Sequence, residues 1–466
     1  MVVVGNDIEG NLQTMAFLDA LTVSFIYGCK VGWTSATTTL FLSEESPIKA
    51  SQNDISWMVS VSYTGTIFSV LLCYNFSDKF SRKQFVIGCT IFYVIAWASI
   101  LFTSSMNVII FCFFLYGIAC SMLYIICHVY IGEVANPKNR ELIGASFNFA
   151  TAIGIQVEFM MSAFNNYRWL ALFPMLVSIF ALLISVLMVE SPYYLVSQGK
   201  DEQALQNLRF LNDKKDDEES VADLEPVKKY VNEQKNRPGF EDNFRIVLIP
   251  GNLKLIVILV IVNGVSIMNC LSIVSSTGYL LLNNFKDSVD GNLFVNIYSS
   301  LRIVFMLCSF ITIKKFKRTS LFLVGYTTTG FIQLICAICY FVEERNGNSI
   351  DWLANVIAYL IVLILFIYQL TFAVALEILK LEILPHKFKE FYTSILCFTS
   401  DCFAFTIVKS YFYLEPILGN SFLMVVYTII SFVGATVVYF YVPDTKGKTL
   451  QQIRLDLNAE SHGLNQ

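Results

Sequence analysis

Three ionisable side chains stand where the chain has almost no other polarity. Arg302, Glu377 and Asp401 fall well inside long apolar runs, where a charge near the bilayer centre costs ~2.5–3.5 kcal/mol on insertion scales. Residues that costly are expected to face a cavity and to have partners. Two carboxylates close together in low dielectric do not readily ionise together, so one of Glu377 and Asp401 would hold a proton or find a cation. Arg302 is the candidate charge partner by its place in the chain. Asp19, Lys30, Glu158, Lys380 and Lys409 lie nearer the ends of such runs, where snorkelling or mutual pairing is the expected fate. The chemistry on offer is binding and charge handling. No nucleophile–base constellation, phosphate loop or metal-ligand spacing is visible, so the chain reads as a non-enzyme without cofactor or metal.

A second set of charges punctuates the ends of the apolar runs, and it occurs twice. Glu133-Val-Ala-Asn-Pro-Lys-Asn-Arg140 has a counterpart in Glu382-Ile-Leu-Pro-His-Lys-Phe-Lys389, close to 250 residues later. Each runs acid, proline, then a base seven residues after the acid. Asp78-Lys79-Phe80-Ser81-Arg82-Lys83 is matched by Lys314-Lys315-Phe316-Lys317-Arg318. Glu190-Ser-Pro192 is matched by Pro443-Asp444-Thr445-Lys446-Gly447. Membrane anchoring and helix capping would account for any one of these clusters. Three recurring in register favour a paired device made of acids and bases.

These charges need long apolar helices to position them. Hydrophobic residues make up 55% of 466 positions, charged residues 15%, and the mean hydropathy is +0.60. A soluble domain is about a quarter charged. The net charge of −4 suggests no nucleic-acid partner. Crossing a bilayer takes ~20 apolar residues, and such windows fall near 12–33, 55–77, 85–104, 107–131, 142–163 and 168–189. They resume near 253–283, 291–313, 319–341, 352–379, 391–413 and 417–442. Cys336 and Cys339 have a redox-like spacing but lie inside one of these runs, so packing is the reading. The N-terminus has no basic leader or cleavage site, and the first run reads as a retained helix. The expected fold is an all-α membrane protein of twelve transmembrane helices in two repeated six-helix halves. The halves are 1–190 and 252–443, with a cytosolic helical linker at 191–251 and a cytosolic tail at 444–466.

Lys and Arg in the short loops orient the chain. With both termini cytoplasmic, the inner loops hold eleven and the outer loops only four, namely Lys49, Arg168, Lys286 and Arg345. Two repeated halves around a midplane site are the plan of an alternating-access carrier. Asp78, Arg82, Lys83, Glu133, Arg140, Glu190, Lys317, Arg318, Glu382 and Lys389 then form an expected cytoplasmic gate.

The same residues resemble the sugar porter branch of the major facilitator superfamily over nearly the whole chain. Tyr130-Ile-Gly-Glu133 with Arg140, Val-Glu-Ser-Pro192, Glu382-Ile-Leu-Pro385 and Pro443-Asp-Thr-Lys-Gly-Lys-Thr-Leu450 match family signatures. Gly32-Trp33-Thr34-Ser35 looks like the insect trehalose and glucose transporter group. The resemblance implies a small-molecule sugar substrate held between the halves in a lipid bilayer, by a protein that works as a monomer, in the plasma membrane. It carries over Asn148 on the fifth span and Asn263, Ser266 and Asn269 on the seventh as substrate contacts. Amides both donate to and accept from hydroxyls, although the same residues would also serve as glue between helices.

Departures from the pattern are substantial. The family's Pro-x-Pro-Trp on the tenth span becomes Val374-Ala375-Leu376-Glu377, and Asn-Trp on the eleventh becomes Ser400-Asp401. Glu377, Ser400 and Asp401 therefore join the expected substrate contacts. Phe113 stands for an arginine, Tyr74 and Ser81 for glycines, and Tyr193 for an arginine. Thr34 and Phe113 at the positions that couple protons in related symporters imply uniport. The leading expectation is facilitated transport of a hexose, polyol or trehalose-like sugar. The alternatives are a different or proton-coupled substrate using Glu377 and Asp401, and a non-transporting nutrient sensor.

Overall fold

In a computed structural model the described part of the chain is almost entirely helical. The structure describes residues 11–43, 46–76, 80–134, 140–164, 166–212, 224–229, 231–232, 245, 247–268, 291–346, 351–373, 375–376, 379 and 389–442, and no strand occurs among them. The helices are α1 (Asn11–Leu42), α2 (Gln52–Phe76), α3 (Arg82–Phe102), α4 (Met106–Val134), α5 (Arg140–Met161) and α6 (Tyr167–Leu187). Two short ones follow, α7 (Pro192–Ser197) and α8 (Asp201–Asn212). Then come α9 (Pro250–Ile267), α10 (Gly291–Lys315), α11 (Arg318–Asn346), α12 (Asp351–Tyr368) with a π turn at Gln369–Ala373, and α13 (Lys389–Tyr441).

Each apolar window of the sequence meets a helix. Among the described residues six helices are long and apolar enough to cross a membrane, and Asn252–Ile267 and Leu293–Ser309 are shorter apolar helices. One of the six, α13, holds two of the expected spans. It contains Pro416 and turns at Gly419, whose φ of 79° only glycine adopts freely. Glu344 at the end of α11 secures that turn, accepting from the Ser421 N–H at 3.1 Å and pairing with the Ser421 hydroxyl. Large apolar side chains such as Phe92, Ile95, Phe180, Leu183, Ile338 and Tyr439 point outward. In water such a surface would aggregate; against lipid it is the ordinary exterior of a helical bundle.

By contacts the described chain divides into two compact units. The first is Met1–Lys30, Gly65–Val157 and Asn166–Pro238; the second is Val31–Thr64, Glu158–Asn165 and Gly239–Gln466. The division cuts through α1, α2 and α5, so it does not follow the boundaries read from the sequence. Within the first unit, α1 packs on α5 where Gly28 meets Gly154: a Cβ on Gly28 would lie 2.1 Å from the Thr151 carbonyl oxygen. Small residues at such crossings let backbones touch. Within the second unit one apolar cluster joins α9, α11 and α13 through Leu259, Phe322, Tyr326, Phe372, Tyr392 and Leu396.

The linker carries its own small core. Leu195, Val196, Ala204, Leu208, Leu224, Val227 and Val231 pack together, and Lys228 pairs with Asp201 at 2.6 Å. That hydrogen bond holds the Lys228 ammonium above its usual pKa. Both groups are well exposed, so the pair contributes little to stability.

Candidate functional site

In the first unit three sequence motifs converge at one end of the helices. Tyr130, near the end of α4, donates its hydroxyl to the Val189 carbonyl at 2.6 Å. Val189 opens the Val-Glu-Ser-Pro192 motif, and the next carbonyl, that of Glu190, accepts from Asn207 Nδ2 on α8 at 2.8 Å. Ser191 caps α7, its hydroxyl accepting from the N–H groups of Tyr193 and Tyr194, and Pro192 takes the first helical position. Serine at the cap and proline just inside is a strong helix start. Arg82, the first residue of α3, lays its guanidinium over the Tyr194 ring at 5.8 Å. An aromatic ring thus receives Arg82 one residue beyond Tyr193, which stands for the family's arginine.

Ser81 has a physical role that explains its departure from glycine. Its hydroxyl accepts from the Gln84 N–H at 3.1 Å, and Gln84 Oε1 accepts from the Ser81 N–H at 3.2 Å. This capping box starts α3 and aims Arg82. Lys83 is half-buried next to it, and Glu190 turns Oε1 back to the Ser191 N–H at 3.1 Å. Glu133 ends α4 and Arg140 begins α5, with side chains outside the described residues; Asp78 lies outside them altogether. In the second unit Arg318 begins α11 with its side chain buried, Lys317 just before it is exposed, and Lys389 begins α13. The Lys389 side chain and all of Glu382 are outside the described residues.

The carried-over substrate contacts fall differently. Asn263 is 2% exposed and spends its amide on α13, donating to the Ser400 hydroxyl and, at 3.5 Å, to the Leu396 carbonyl. Ser266 is also buried, and its hydroxyl lies 2.6 Å from that of Tyr326 on α11, which in turn donates to the Val262 carbonyl at 3.0 Å. In this structure Asn263 and Ser266 both tie α9 to its neighbours, the glue role that the sequence reading left open beside substrate contact. The reason is that an unpaired amide or hydroxyl inside a helix bundle takes the nearest partner. Asn148 on α5 is exposed, Ser400 and Asp401 are half-buried, and so is Arg302 on α10. Asn269 and Glu377 lie outside the described residues.

Two features sharpen the sequence reading, which left snorkelling and mutual pairing open for the charges near the helix ends. Lys30 and Glu158 are buried, at 4% and 0% exposed, as is Asp19, so snorkelling is not their fate. Asp19 accepts from the Ser185 hydroxyl at 2.8 Å. Lys30 stands over the Phe113 ring at 5.5 Å, which returns a cation to the place where the family has an arginine. Both Lys30 and the loss of the arginine at Phe113 are visible in the sequence, but one-dimensional order hides which face of α1 meets α4. The second feature is the π turn at Gln369–Ala373, directly before Val374-Ala375-Leu376-Glu377. The family's prolines are gone there, yet the helix still departs from α geometry, and Thr312 of α10 donates to the Leu370 carbonyl at 2.7 Å.

A profile of the family described as sugar (and other) transporter matches residues 41–457. The chain belongs to that family. Among curated relatives, it is 22% identical over 452 residues to a facilitated trehalose transporter Tret1 of Polypedilum vanderplanki, covering 95% of this chain and 87% of that one. It is 24% identical to the facilitated trehalose transporter Tret1 of Drosophila erecta over 95% of this chain, and spans about half (51%) of that longer relative. A probable metabolite transport protein, CsbC, of Bacillus subtilis is 24% identical over 93% of this chain and 92% of its own. Of solved structures, the inward open conformation of the xylose transporter XylE from E. coli superposes with a TM-score of 0.77. That match has 15% identity and covers 95% of this chain and 99% of XylE. XylE bound to 6-bromo-6-deoxy-D-glucose, described as a major facilitator superfamily proton:xylose symporter, gives 0.71 at 17% identity over 96% and 99%. The fold is that of the sugar porters, and the chain is a multi-pass membrane protein of a transporter family, not an enzyme.

Proposed function

We propose that this protein carries a hexose, polyol or trehalose-like sugar across the plasma membrane by alternating access, as a monomer in the bilayer. In this reading the halves at 1–190 and 252–443 rock about a central site, the linker at 191–251 and the tail at 444–466 are cytosolic, and both termini face the cytoplasm. The observation that carries it is the convergence of Arg82, Tyr130, Val189-Glu190 and Tyr194 at one end of the first unit. Three motifs far apart in sequence meet where repeated acids and bases are available for breakable pairs. The names of the relatives support the substrate class. Asn148 and Asp401 are the described residues best suited to meet a sugar, since neither amide nor carboxylate is wholly buried.

Buried Asp19, Lys30 and Glu158 give the coupling question a specific form, because ionisable groups inside the membrane mark ion or substrate pathways by default. Proteoliposomes supplied with a panel of labelled sugars, with and without a pH gradient, test both points. Saturable uptake of at least one hexose, polyol or disaccharide, unaffected by the gradient, is the expected result. Uptake of none of them would overturn the carrier reading, and uptake driven only by the gradient would replace uniport with symport.

A further inference from the structure

We infer that Lys409 and Phe405 clasp Trp57 as a latch that holds the carrier shut at the outer end of α2, the end remote from Arg82. The inference rests on the alternating-access reading. Trp57 is in the second turn of α2, and Arg82 follows the other end of that helix. A 25-residue helix spans about 37 Å, so the two positions mark opposite mouths of the transport path.

Trp57 belongs to the first half of the sequence, and Lys409 and Phe405 to the second. All three nevertheless lie in one compact unit, because Val31–Thr64 and Glu158–Asn165 cluster with Gly239–Gln466. The Lys409 ammonium lies 3.9 Å from the centroid of the Trp57 ring. Its Nζ is shut off from solvent and makes no hydrogen bond among the described residues, so the ring face is its described electrostatic neighbour. Tryptophan is the best aromatic partner for a cation, and desolvation strengthens the attraction. Phe405, one helical turn before Lys409, brings its ring to 6.3 Å from the same indole. A second tie between the first and second halves of the sequence is a hydrogen bond from Asn296 Nδ2 of α10 to the Phe159 carbonyl at the end of α5, at 3.1 Å.

These ties are made by side-chain tips. Nothing in them interlocks backbone with backbone, as Gly28 and Gly154 do. A cation–π pair and one hydrogen bond can part without unfolding a helix, which is what a gate requires and a structural crossing does not. Within the same unit Asp401 lies two turns before Lys409 and Glu415 nearly two turns after it. The clasp at Trp57 therefore uses a cation that is not placed against an acid of its own helix face.

Hydrogen exchange of the full-length protein in lipid nanodiscs, without sugar, tests the latch. In Lys409→Met, exchange over residues 52–64 and 405–418 is expected to rise about three-fold or more, while exchange over 80–84 and 189–195 falls. Lys409→Arg keeps the cation and should match the wild type, and Trp57→Phe, a weaker π face, should fall between. Unchanged exchange in Lys409→Met overturns the proposal. So does a rise at both ends, because a merely structural contact would loosen locally without closing the other mouth. Because no substrate is present, a protein that takes up no sugar leaves this test standing, and a flat exchange series leaves the carrier reading intact.

Discussion

The two units of this protein hold their helices together by different means. In the first, glycines bring backbone against backbone: a Cβ on Gly28 would meet the Thr151 carbonyl, one on Gly154 the Phe25 carbonyl at 2.2 Å, and one on Gly65 the Phe114 carbonyl at 2.3 Å. Hydroxyls there reach across to main-chain oxygens, as Tyr116 does to Ile26 at 3.0 Å and Thr151 to Ser24 at 3.1 Å. In the second unit, glycines make room for side chains, Gly264 for the Phe403 ring, Gly325 for Thr371 and Phe372, and Gly330 for the Phe432 ring. Beside ties to main-chain oxygens such as Thr312 to Leu370 at 2.7 Å, three of its polar ties join side chain to side chain: Asn263 to Ser400, Ser266 to Tyr326, and Ser431 to Gln333 at 2.8 Å. A backbone contact has one geometry. A ring can rotate and a side-chain pair can re-form, so the second unit is the better built of the two to change shape.

The sharpest way to break that comparison is to add bulk at matched glycines. Gly28→Val or Gly154→Val should destabilise by about 3 kcal/mol or more, because a carbonyl in a neighbouring helix cannot move aside. Gly264→Ala should cost about 1–2 kcal/mol, because the Phe403 ring can turn. Thermal melts with size-exclusion chromatography in detergent read both, and equal losses at the two sites would refute the contrast.

Next in size is Asn263→Ala, expected to cost about 0.6–2 kcal/mol of stability through the lost tie to Ser400. Sugar KM should stay unchanged if the amide is glue between helices. A rise in KM with unaltered stability would restore it to the substrate site.

Ser81→Ala should remove the cap of α3 at about 1 kcal/mol, whereas Ser81→Gly, the family's residue, should cost only a few tenths. Equal effects of the two would show that the hydroxyl does not support Arg82. The smallest change expected is at Gly88, where nothing lies within 4 Å of an added Cβ. Gly88→Ala should be neutral or stabilising by up to about 1 kcal/mol, and a clear loss there would mean that α3 has a neighbour in the membrane.

Much of the molecule was legible because a bilayer imposes a one-dimensional code. Windows of about 20 apolar residues marked helices such as α3 (Arg82–Phe102) and α6 (Tyr167–Leu187) to within a few residues. The repeated charge clusters and the order of the motifs were enough for the family. The caps at Ser191-Pro192 and at Ser81 with Gln84 came from the structure, although each is made within a few consecutive residues.

Which polar side chain spends itself on a neighbouring helix was not legible. Asn263 reads from the sequence as a sugar ligand or as glue between helices, and the partner it takes in the structure, Ser400, lies 137 positions away. Lys30 reads as a charge near a helix end until Phe113 appears beneath it. Hydropathy and spacing are local and survive in the sequence, so they determined spans, class and family. Pairing across helices is set by the rotation of each helix and its closest approach, which depend on every residue along the crossing, so only the tertiary structure decided it.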